Sequence, residues 1–267
     1  MNKNLILSKL KKEEDKLFIS KIIDKYNYAI NKNKITSTNF VNQAEKELAK
    51  KIFNEQKIKN YLFYGVCSEY ERCMIFFYPE KFDTSIVQSN YENYISIIRI
   101  KLPKANYCKY SHRDYLGGLI KLGISRDKIG DILVFEDGAD IIVSSDIVNF
   151  LLTNLSSLIR FQKSEITKEN LNSIRIMETK KEEIQIIIPS LRLDSIVSEL
   201  AHTSRSKACS IIESENVFVN YICITKTNYL LKEQDTITIR RNGKYNIIDI
   251  LGNTKKGNII LKLQKYC

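Results

Sequence analysis

The first 60 residues carry apolar side chains at the spacing of amphipathic helices. Two such series occur, namely Leu10, Leu17, Ile19, Ile22 and Ile23, then Phe40, Ala44, Leu48, Ile52 and Phe53. Apolar residues three and four positions apart share one face of a helix, so each series predicts a helix packed on a core. Thr36-Ser37-Thr38 lies between them, and its hydroxyls are suited to cap the second helix. We predict a helical N-terminal region over residues 1–60.

From residue 61 onward the pattern changes to the alternation typical of β-strands. Aromatic and β-branched runs at 61–67 and 73–78 predict a hairpin. Further elements are predicted at 94–101 (strand), 111–122 (helix), 131–136 and 140–144 (strands), 146–155 (helix) and 157–161 (strand). This β-α-β-β-α-β order is ferredoxin-like and is shared by RNA-recognition modules (RRMs), although the aromatic signature of those modules is missing. We predict a ferredoxin/RRM-like domain, with its preceding hairpin, over residues 61–165.

The remainder of the chain divides into a short connection and a further domain. Residues 166–182 are charged and carry few large apolar side chains, so we predict a linker there. Residues 183–267 show the pattern of one strand, two short helices and several strands separated by turn residues. The predicted fold class is therefore α+β, with a helical N-terminal region, a βαββαβ middle domain and a C-terminal α+β domain.

The charge of the chain favours an anionic partner. There are 42 Lys and Arg against 31 Asp and Glu, which gives a net charge of +11. Such a surplus points to nucleic acid first and to a membrane surface second. The surplus is uneven, because residues 1–85 and 190–267 each carry a net +5 whereas residues 86–189 carry +1. Binding to phosphates is therefore expected from the two ends of the chain.

Several classes of protein find no support in the sequence. No apolar stretch reaches the ~18 residues of a membrane-spanning helix, and the charged N-terminus leaves too short an apolar segment for a signal peptide. The six cysteines form no C-x-x-C pair and only two histidines occur, which disfavours a zinc site. Glycine-rich cofactor loops and familiar catalytic motifs are missing. We expect a cytoplasmic protein with free thiols, no metal, no cofactor and no catalytic residue.

The most informative pattern is a pair of short helices after residue 190. A helix over 191–200 would bury one apolar face and leave Arg192 and Asp194 at its amino end. A second helix opens at Ser204, and its first turn carries Arg205 and Lys207 beside free backbone amides. Amides and the helix dipole both favour an anion, so this end is suited to a phosphate. The alternative is a hydroxyl-capped helix pair with solvated cations. We expect Asp194 to pair with a local cation or amide.

Residues 190–245 resemble the S4 RNA-binding domain. The resemblance rests on R-L-D at 192–194, S-R-x-x-A at 204–208, V-x-V-N at 217–220 and D-x-I at 235–237. The family usually has glycine at the positions of Asn216, Tyr221 and Gln234. The resemblance implies that the two helices and the adjacent strand edge bind RNA. The contacts that it implies are Arg192, Arg205, Ser206, Lys207, Asn220, Lys226 and Lys244.

Residues 112–131 resemble a stretch of the YlmH family, with the pattern H-R-D-x-L-G-x-L-x-x-L-G-I-x-R-x-x-I-G-D. Members are bacterial proteins with a ferredoxin-like middle domain and a C-terminal S4 module. Arg126 and Lys128 in this stretch are added to the implied RNA contacts, although plain exposure explains them equally well.

The resemblance implies a non-catalytic RNA-binding protein that acts in rescue of obstructed ribosomes. Ribosomal RNA of the large subunit is the implied partner, together with peptidyl-tRNA, and we expect a monomer. Two alternatives stay open. One is an RNA-modifying enzyme with a divergent active site in residues 86–165. The other is a division-linked scaffold at the membrane, for which residues 5–30 are the only candidate amphipathic helix.

Overall fold

The computed structural model describes residues 3–67, 69–176 and 181–266. The chain divides into two compact units, Met1–Met177 and Glu178–Cys267. Each unit combines helices with antiparallel sheet, so the predicted α+β class is confirmed. None of the described helices is long and apolar enough to cross a membrane.

Helices and a small sheet form the N-terminal part of the first unit. Its elements are α1 (Lys3–Ser8), α2 (Glu13–Lys32), β1 (Thr36–Ser37), β2 (Val41–Asn42), α3 (Gln43–Glu55), β3 (Tyr61–Tyr64), β4 (Arg72–Phe77) and α4 (Thr84–Ser89). The two predicted helices are confirmed as α2 and α3, whose apolar faces share one core with β4. The predicted hairpin is confirmed as β3–β4. Because β4 also pairs with β1 and β2, the hairpin belongs to this sheet and not to the middle one.

The start of α3 differs from the prediction. Thr36–Ser37 forms β1, and Thr38 Oγ1 accepts the amide of Ile75 at 3.0 Å. These hydroxyl residues therefore bind neighbouring elements and do not cap the helix. Asn42 caps it, because Asn42 Oδ1 accepts the amide of Glu45 at 2.9 Å while the Glu45 carboxylate accepts the amide of Asn42 at 2.7 Å.

The middle of the first unit is a four-stranded sheet with two helices packed on one face. Its elements are β5 (Ile95–Lys101), α5 (His112–Lys121), β6 (Ile129–Phe135), β7 (Gly138–Ser144), α6 (Val148–Asn154) and β8 (Glu165–Glu169). The strands lie in the order β6-β7-β5-β8, and all neighbours are antiparallel. The βαββαβ order that the sequence predicts is therefore present.

The last strand of this sheet lies later than predicted. Residues 157–161 fall in 3₁₀ turns, where the buried Phe161 stacks on Tyr115 with ring centroids 5.3 Å apart. The apolar residues there anchor a turn to the helix layer and do not form a strand. Strand β8 pairs with β5 instead, so the predicted linker 166–182 begins inside the sheet. Residues 177–180 of that linker lie outside the described part.

The second unit is a six-stranded sheet with two helices on one face. Its elements are β9 (Lys181–Ile188), α7 (Leu193–Leu200), α8 (Arg205–Glu213), β10 (Val217–Val219), β11 (Ile222–Cys223), β12 (Thr236–Ile239), β13 (Gly243–Asn253) and β14 (Ile259–Tyr266). The sheet order is β11-β10-β12-β13-β14-β9. Alternate residues of these strands form one core with the apolar faces of α7 and α8. This is the element order that the sequence predicts after residue 183.

Candidate nucleic-acid interface

The amino ends of α7 and α8 meet at one buried carboxylate. Asp194, in the first turn of α7, has 3% of its side chain exposed. Its oxygens accept hydrogen bonds from Arg192 at 2.8 and 3.1 Å and from Arg205 at 3.0 and 3.1 Å. The predicted pairing of Asp194 with a local cation is confirmed.

Two guanidinium groups on one carboxylate leave one positive charge uncompensated within this group. Hydrogen bonds from Arg192 lower the pKa of Asp194, and those from Arg205 contribute further, against the opposing effect of burial. Asp194 therefore stays ionised at neutral pH. Arg192 and Arg205 keep 38% and 53% of their side chains exposed. The buried carboxylate thus fixes two guanidinium groups at the surface.

The loop that carries Lys226 covers the start of α7. The amides of Leu193 and Asp194 donate to the carbonyl oxygens of Tyr229 and Thr227 at 2.8 and 3.0 Å. These two amides are therefore occupied, and the capacity of this end to bind an anion rests on side chains. Lys226 lies exposed on the same loop.

The start of α8 has the predicted hydroxyl cap. Ser204 Oγ accepts the amide of Lys207 at 3.3 Å. Arg205, Ser206 and Lys207 form the exposed first turn of the helix, where the positive end of its dipole lies. Five of the predicted contacts are therefore brought to the two helix ends. We call them the helix-end cluster, which consists of Arg192, Arg205, Ser206, Lys207 and Lys226.

Asn220 has a different role from the one that the sequence suggests. It occupies the turn between β10 and β11, where its Nδ2 donates to Asp235 at 2.8 Å and its Oδ1 accepts the amide of Thr236 at 2.9 Å. Both ends of its amide are therefore used to join this turn to the start of β12. We leave Asn220 out of the interface.

Lys244 lies on the other face of the sheet. It precedes the buried Tyr245 on β13, and successive side chains of a strand point to opposite faces. Its ammonium group lies 5.0 Å from the ring centroid of Tyr221 and 4.9 Å from that of Tyr266. Sequence reasoning missed Tyr266, because only the strand register places it beside Lys244.

The two predicted contacts in the first unit are engaged there. Arg126 Nη1 donates to the carbonyl oxygens of Ile129 and Gly130 at 2.6 and 3.2 Å. Burial lowers the pKa of Arg126. Lys128 Nζ lies 2.5 Å from a carboxylate oxygen of Asp146. Both cations therefore stabilise the turn between α5 and β6 and its neighbours.

The sheet face that an RRM would use for RNA is covered in the first unit. Ile97 and Ile142 on that face share a core with Phe40 and Phe76 from the N-terminal part. An RRM stacks bases on exposed aromatic side chains of this face. The middle sheet therefore offers no platform of that kind.

The first unit also contains a carboxylate–arginine network that sequence reasoning missed. The fully buried Asp140 accepts hydrogen bonds from Arg99 at 2.8 Å and from Arg175 at 2.7 and 3.1 Å. Asp137 lies 2.6 Å from Arg175, and Glu169 lies 3.6 Å from Arg99. The only signal available was the charge of the predicted linker, which contains Arg175.

Neither a metal site nor a reactive thiol at Cys67 or Cys73 is found among the described residues. No group of three or more His, Cys, Asp or Glu side chains there could hold a metal ion. Burial raises the pKa of the Cys67 thiol to about 11 and that of the Cys73 thiol to about 12. Neither thiol therefore supplies a thiolate nucleophile at neutral pH.

Comparison with known proteins identifies related sequences. The family model described as a putative RNA-binding domain in YlmH matches residues 88–173. Ribosome-associated protein quality control protein P2 of Bacillus subtilis (strain 168) is 30% identical over 150 residues, which cover 56% of this chain. The match spans 58% of that relative's length. The structure of cell division protein ylmH from Streptococcus pneumoniae aligns with a TM-score of 0.48 and 19% identity, over 61% of this chain and 96% of that one.

Proposed function

We propose, from the premise that the chain belongs to the YlmH family, that it is a non-catalytic RNA-binding protein. We propose further that the second unit is an S4 domain and that its helix-end cluster docks on structured RNA. The grooves of an A-form helix hide base sequence from side chains, so the cluster would recognise the shape of the phosphate backbone.

One observation carries this proposal. Asp194 fixes the guanidinium groups of Arg192 and Arg205 at an exposed surface, with Lys207 in the same helix turn as Arg205. Guanidinium groups match phosphate oxygens in geometry, and holding them in place before binding lowers the entropy cost of contact. Arg192 and Arg205 also keep 38% and 53% of their side chains exposed, so a phosphate can reach them.

The related proteins support a ribosomal partner. The curated relative is named as ribosome-associated, so we propose ribosomal RNA of the large subunit and tRNA as targets, with action in the cytoplasm as a monomer. The RNA-binding family model covers the middle sheet, so we propose that this region also contacts RNA. Because its open sheet face is covered, that contact would use another surface.

The test is a pair of charge-matched variants of the full chain. Arg205→Ala with Lys207→Ala should lower affinity for a large-subunit RNA fragment at least about tenfold and reduce the salt slope by about 2, because two phosphate contacts are lost. Lys255→Ala with Lys256→Ala removes the same charge from an exposed turn of the same unit and should change affinity by less than about twofold.

Equal losses of RNA affinity in the two variants would show that only the net charge of the protein matters, and would contradict the assigned surface. Circular dichroism melts of each variant exclude unfolding as the cause. Crosslinking in cells followed by sequencing of the attached RNA identifies the target. Mass spectrometry of RNA before and after incubation tests the non-catalytic character, since a modified nucleotide would contradict it.

A further inference from the structure

The outer face of the second sheet, opposite α7 and α8, carries a row of aromatic and basic side chains. Strand register places Phe218 beside Thr238, Thr238 beside Lys244, Lys244 beside Tyr266, and Tyr266 beside Lys181. All five strands involved are hydrogen-bonded neighbours, so the row crosses most of the sheet. Buried neighbours along the strands place Phe218, Thr238 and Lys244 on the face away from the core. The strand register then places Tyr266 and Lys181 on that same face.

Rings and cations alternate along this row. Lys244 lies 5.0 Å from the ring of Tyr221 and 4.9 Å from the ring of Tyr266, and Lys181 lies 5.1 Å from the Tyr266 ring. At the other end, the guanidinium carbon of Arg240 lies 5.0 Å from the Phe218 ring. We call this set the outer row, which consists of Lys181, Phe218, Tyr221, Arg240, Lys244 and Tyr266.

Tyr221 occupies a position that does not favour a tyrosine. It follows Asn220 in the two-residue turn between β10 and β11, and the two residues have φ of 48° and 65°. A turn with positive φ at both positions prefers Asn followed by Gly, because a side chain is strained there. The backbone of this turn therefore does not require a tyrosine at position 221. Its ring instead adds a second aromatic surface beside Lys244.

We propose that the outer row binds unpaired nucleotides of RNA, a second surface distinct from the helix-end cluster. Bases would stack on Tyr221 and Tyr266, while Lys181, Lys244 and Arg240 neutralise the adjoining phosphates. Aromatic rings interleaved with cations are the recurrent means of holding single strands, because every base presents a face that can stack. The positive charge of the row complements the phosphates of RNA. This inference rests on the proposed function, because the helix-end cluster would bind the duplex part of an RNA and the outer row would bind the single strand next to it.

A single tryptophan provides the direct test. The chain contains no tryptophan, so Tyr221→Trp in the full-length protein gives one emitter in the outer row. Addition of single-stranded oligoadenylate should quench that emission, whereas heparin, a polyanion without bases, should not. Tyr28→Trp in α2 is the control, since Tyr28 is half-exposed in the first unit, and its emission should not change. No quenching of the Tyr221→Trp emitter, or equal quenching by heparin, would overturn the inference.

Binding measurements separate this surface from the helix-end cluster. An RNA hairpin with a single-stranded extension should bind the native protein at least about fivefold more tightly than the blunt hairpin, since each stacked base contributes appreciably. Tyr221→Gly with Tyr266→Ala should abolish that increment and leave blunt-hairpin affinity unchanged. Tyr221→Gly alone should leave the melting temperature unchanged or raised, because glycine suits the turn.

The outcomes distinguish the two surfaces. Loss of affinity for both RNAs in the tyrosine variant, or no increment in the native protein, would contradict the outer row. Unchanged hairpin affinity in Arg205→Ala with Lys207→Ala would contradict the helix-end cluster. Retained quenching of the Tyr221→Trp emitter by oligoadenylate in that background would still support the outer row.

Discussion

Each unit contains one buried aspartate that holds two arginines, yet the two groups differ in remaining charge. Around Asp140, two arginines face three carboxylates, and the arginine side chains are 22% and 28% exposed. Around Asp194, two arginines face one carboxylate and are 38% and 53% exposed. In the first group the carboxylates fully compensate the arginine charges, and the group joins strands to the segment that follows β8. The second leaves a positive surface at two helix ends.

The comparison teaches that a count of cations does not locate a binding surface. Arg126 and Lys128 are spaced like the two cations at the start of α8, but carbonyl oxygens and Asp146 accept their hydrogen bonds. Lys207 and Lys226 lie exposed beside guanidinium groups that are already ordered. What separates the regions is how much positive charge the protein's own acceptors leave uncompensated.

The largest expected effect is on stability and comes from Asp140. Asp140→Ala leaves Arg99 and Arg175 without their buried partner, and breaking such a group costs about 3–5 kcal/mol. We expect the first unit to unfold at a lower denaturant concentration. The second unit should keep its own transition. Urea unfolding followed by far-UV circular dichroism measures both, and a loss in the second unit alone would contradict the structural role of Asp140.

Removing the carboxylate of Asp194 makes the protein more positive and should nevertheless weaken RNA binding. Asp194→Asn releases Arg192 and Arg205 from fixed positions, so we expect a several-fold loss of affinity and a loss of about 2–4 kcal/mol in stability of the second unit. Fluorescence anisotropy with labelled RNA, at a temperature where the variant is folded, measures the affinity. Tighter binding would indicate that net charge, not positioning, controls the interaction.

Asp131 gives the first unit a pH dependence of its own. Burial raises the pKa of Asp131 from 3.8 to about 6. The folded state therefore binds this proton more tightly than the unfolded chain, and its contribution to stability falls by about 2–3 kcal/mol as pH rises from about 4 to above 6. Asp131→Asn should remove this part of the pH dependence of the free energy of unfolding. Unfolding curves across this pH range measure the difference, and parallel profiles for the two proteins would contradict the assignment.

Part of the fold could be predicted because it depends on local periodicity. Helices α2, α3, α5 and α7 follow apolar spacing that the sequence shows directly. Strand β8 could not be predicted, because it is an edge strand with charged residues and shows no alternation of apolar and polar positions. Thr36 was misread because its partner on β4 is distant in sequence.

The candidate RNA-binding site could also be predicted only where it depends on residues close together in sequence. Arg192, Asp194 and Arg205 lie within a few residues of helix starts, so local reasoning brings them together. Lys244 and Asn220 were assigned to the same surface as these residues. Sequence spacing does not show which face of the sheet Lys244 lies on, or that the side-chain amide of Asn220 is already hydrogen-bonded within the protein. The outer row needs the register of five strands, which no local pattern contains.

The smallest expected effects come from single lysines. Lys128→Ala breaks an ion pair with the partly exposed Asp146 and should cost less than about 1 kcal/mol in stability, with unchanged RNA affinity. Lys207→Ala should leave stability unchanged and lower affinity about threefold, since one phosphate contact is lost. Thermal melts measure the stability of the two variants, and anisotropy titrations measure their RNA affinity. Equal losses of affinity in the two variants would contradict the difference between the turn that carries Lys128 and the helix-end cluster.

Lysine acetylation of the full-length protein with and without saturating RNA tests the central claim most directly. The readout is the rate of modification at each lysine, measured by mass spectrometry. We predict that RNA slows modification of Lys207 and Lys226 strongly and leaves Lys128, Lys255 and Lys256 unchanged. Protection of Lys128 with none at Lys207 would show that RNA binds the first unit instead of the helix-end cluster.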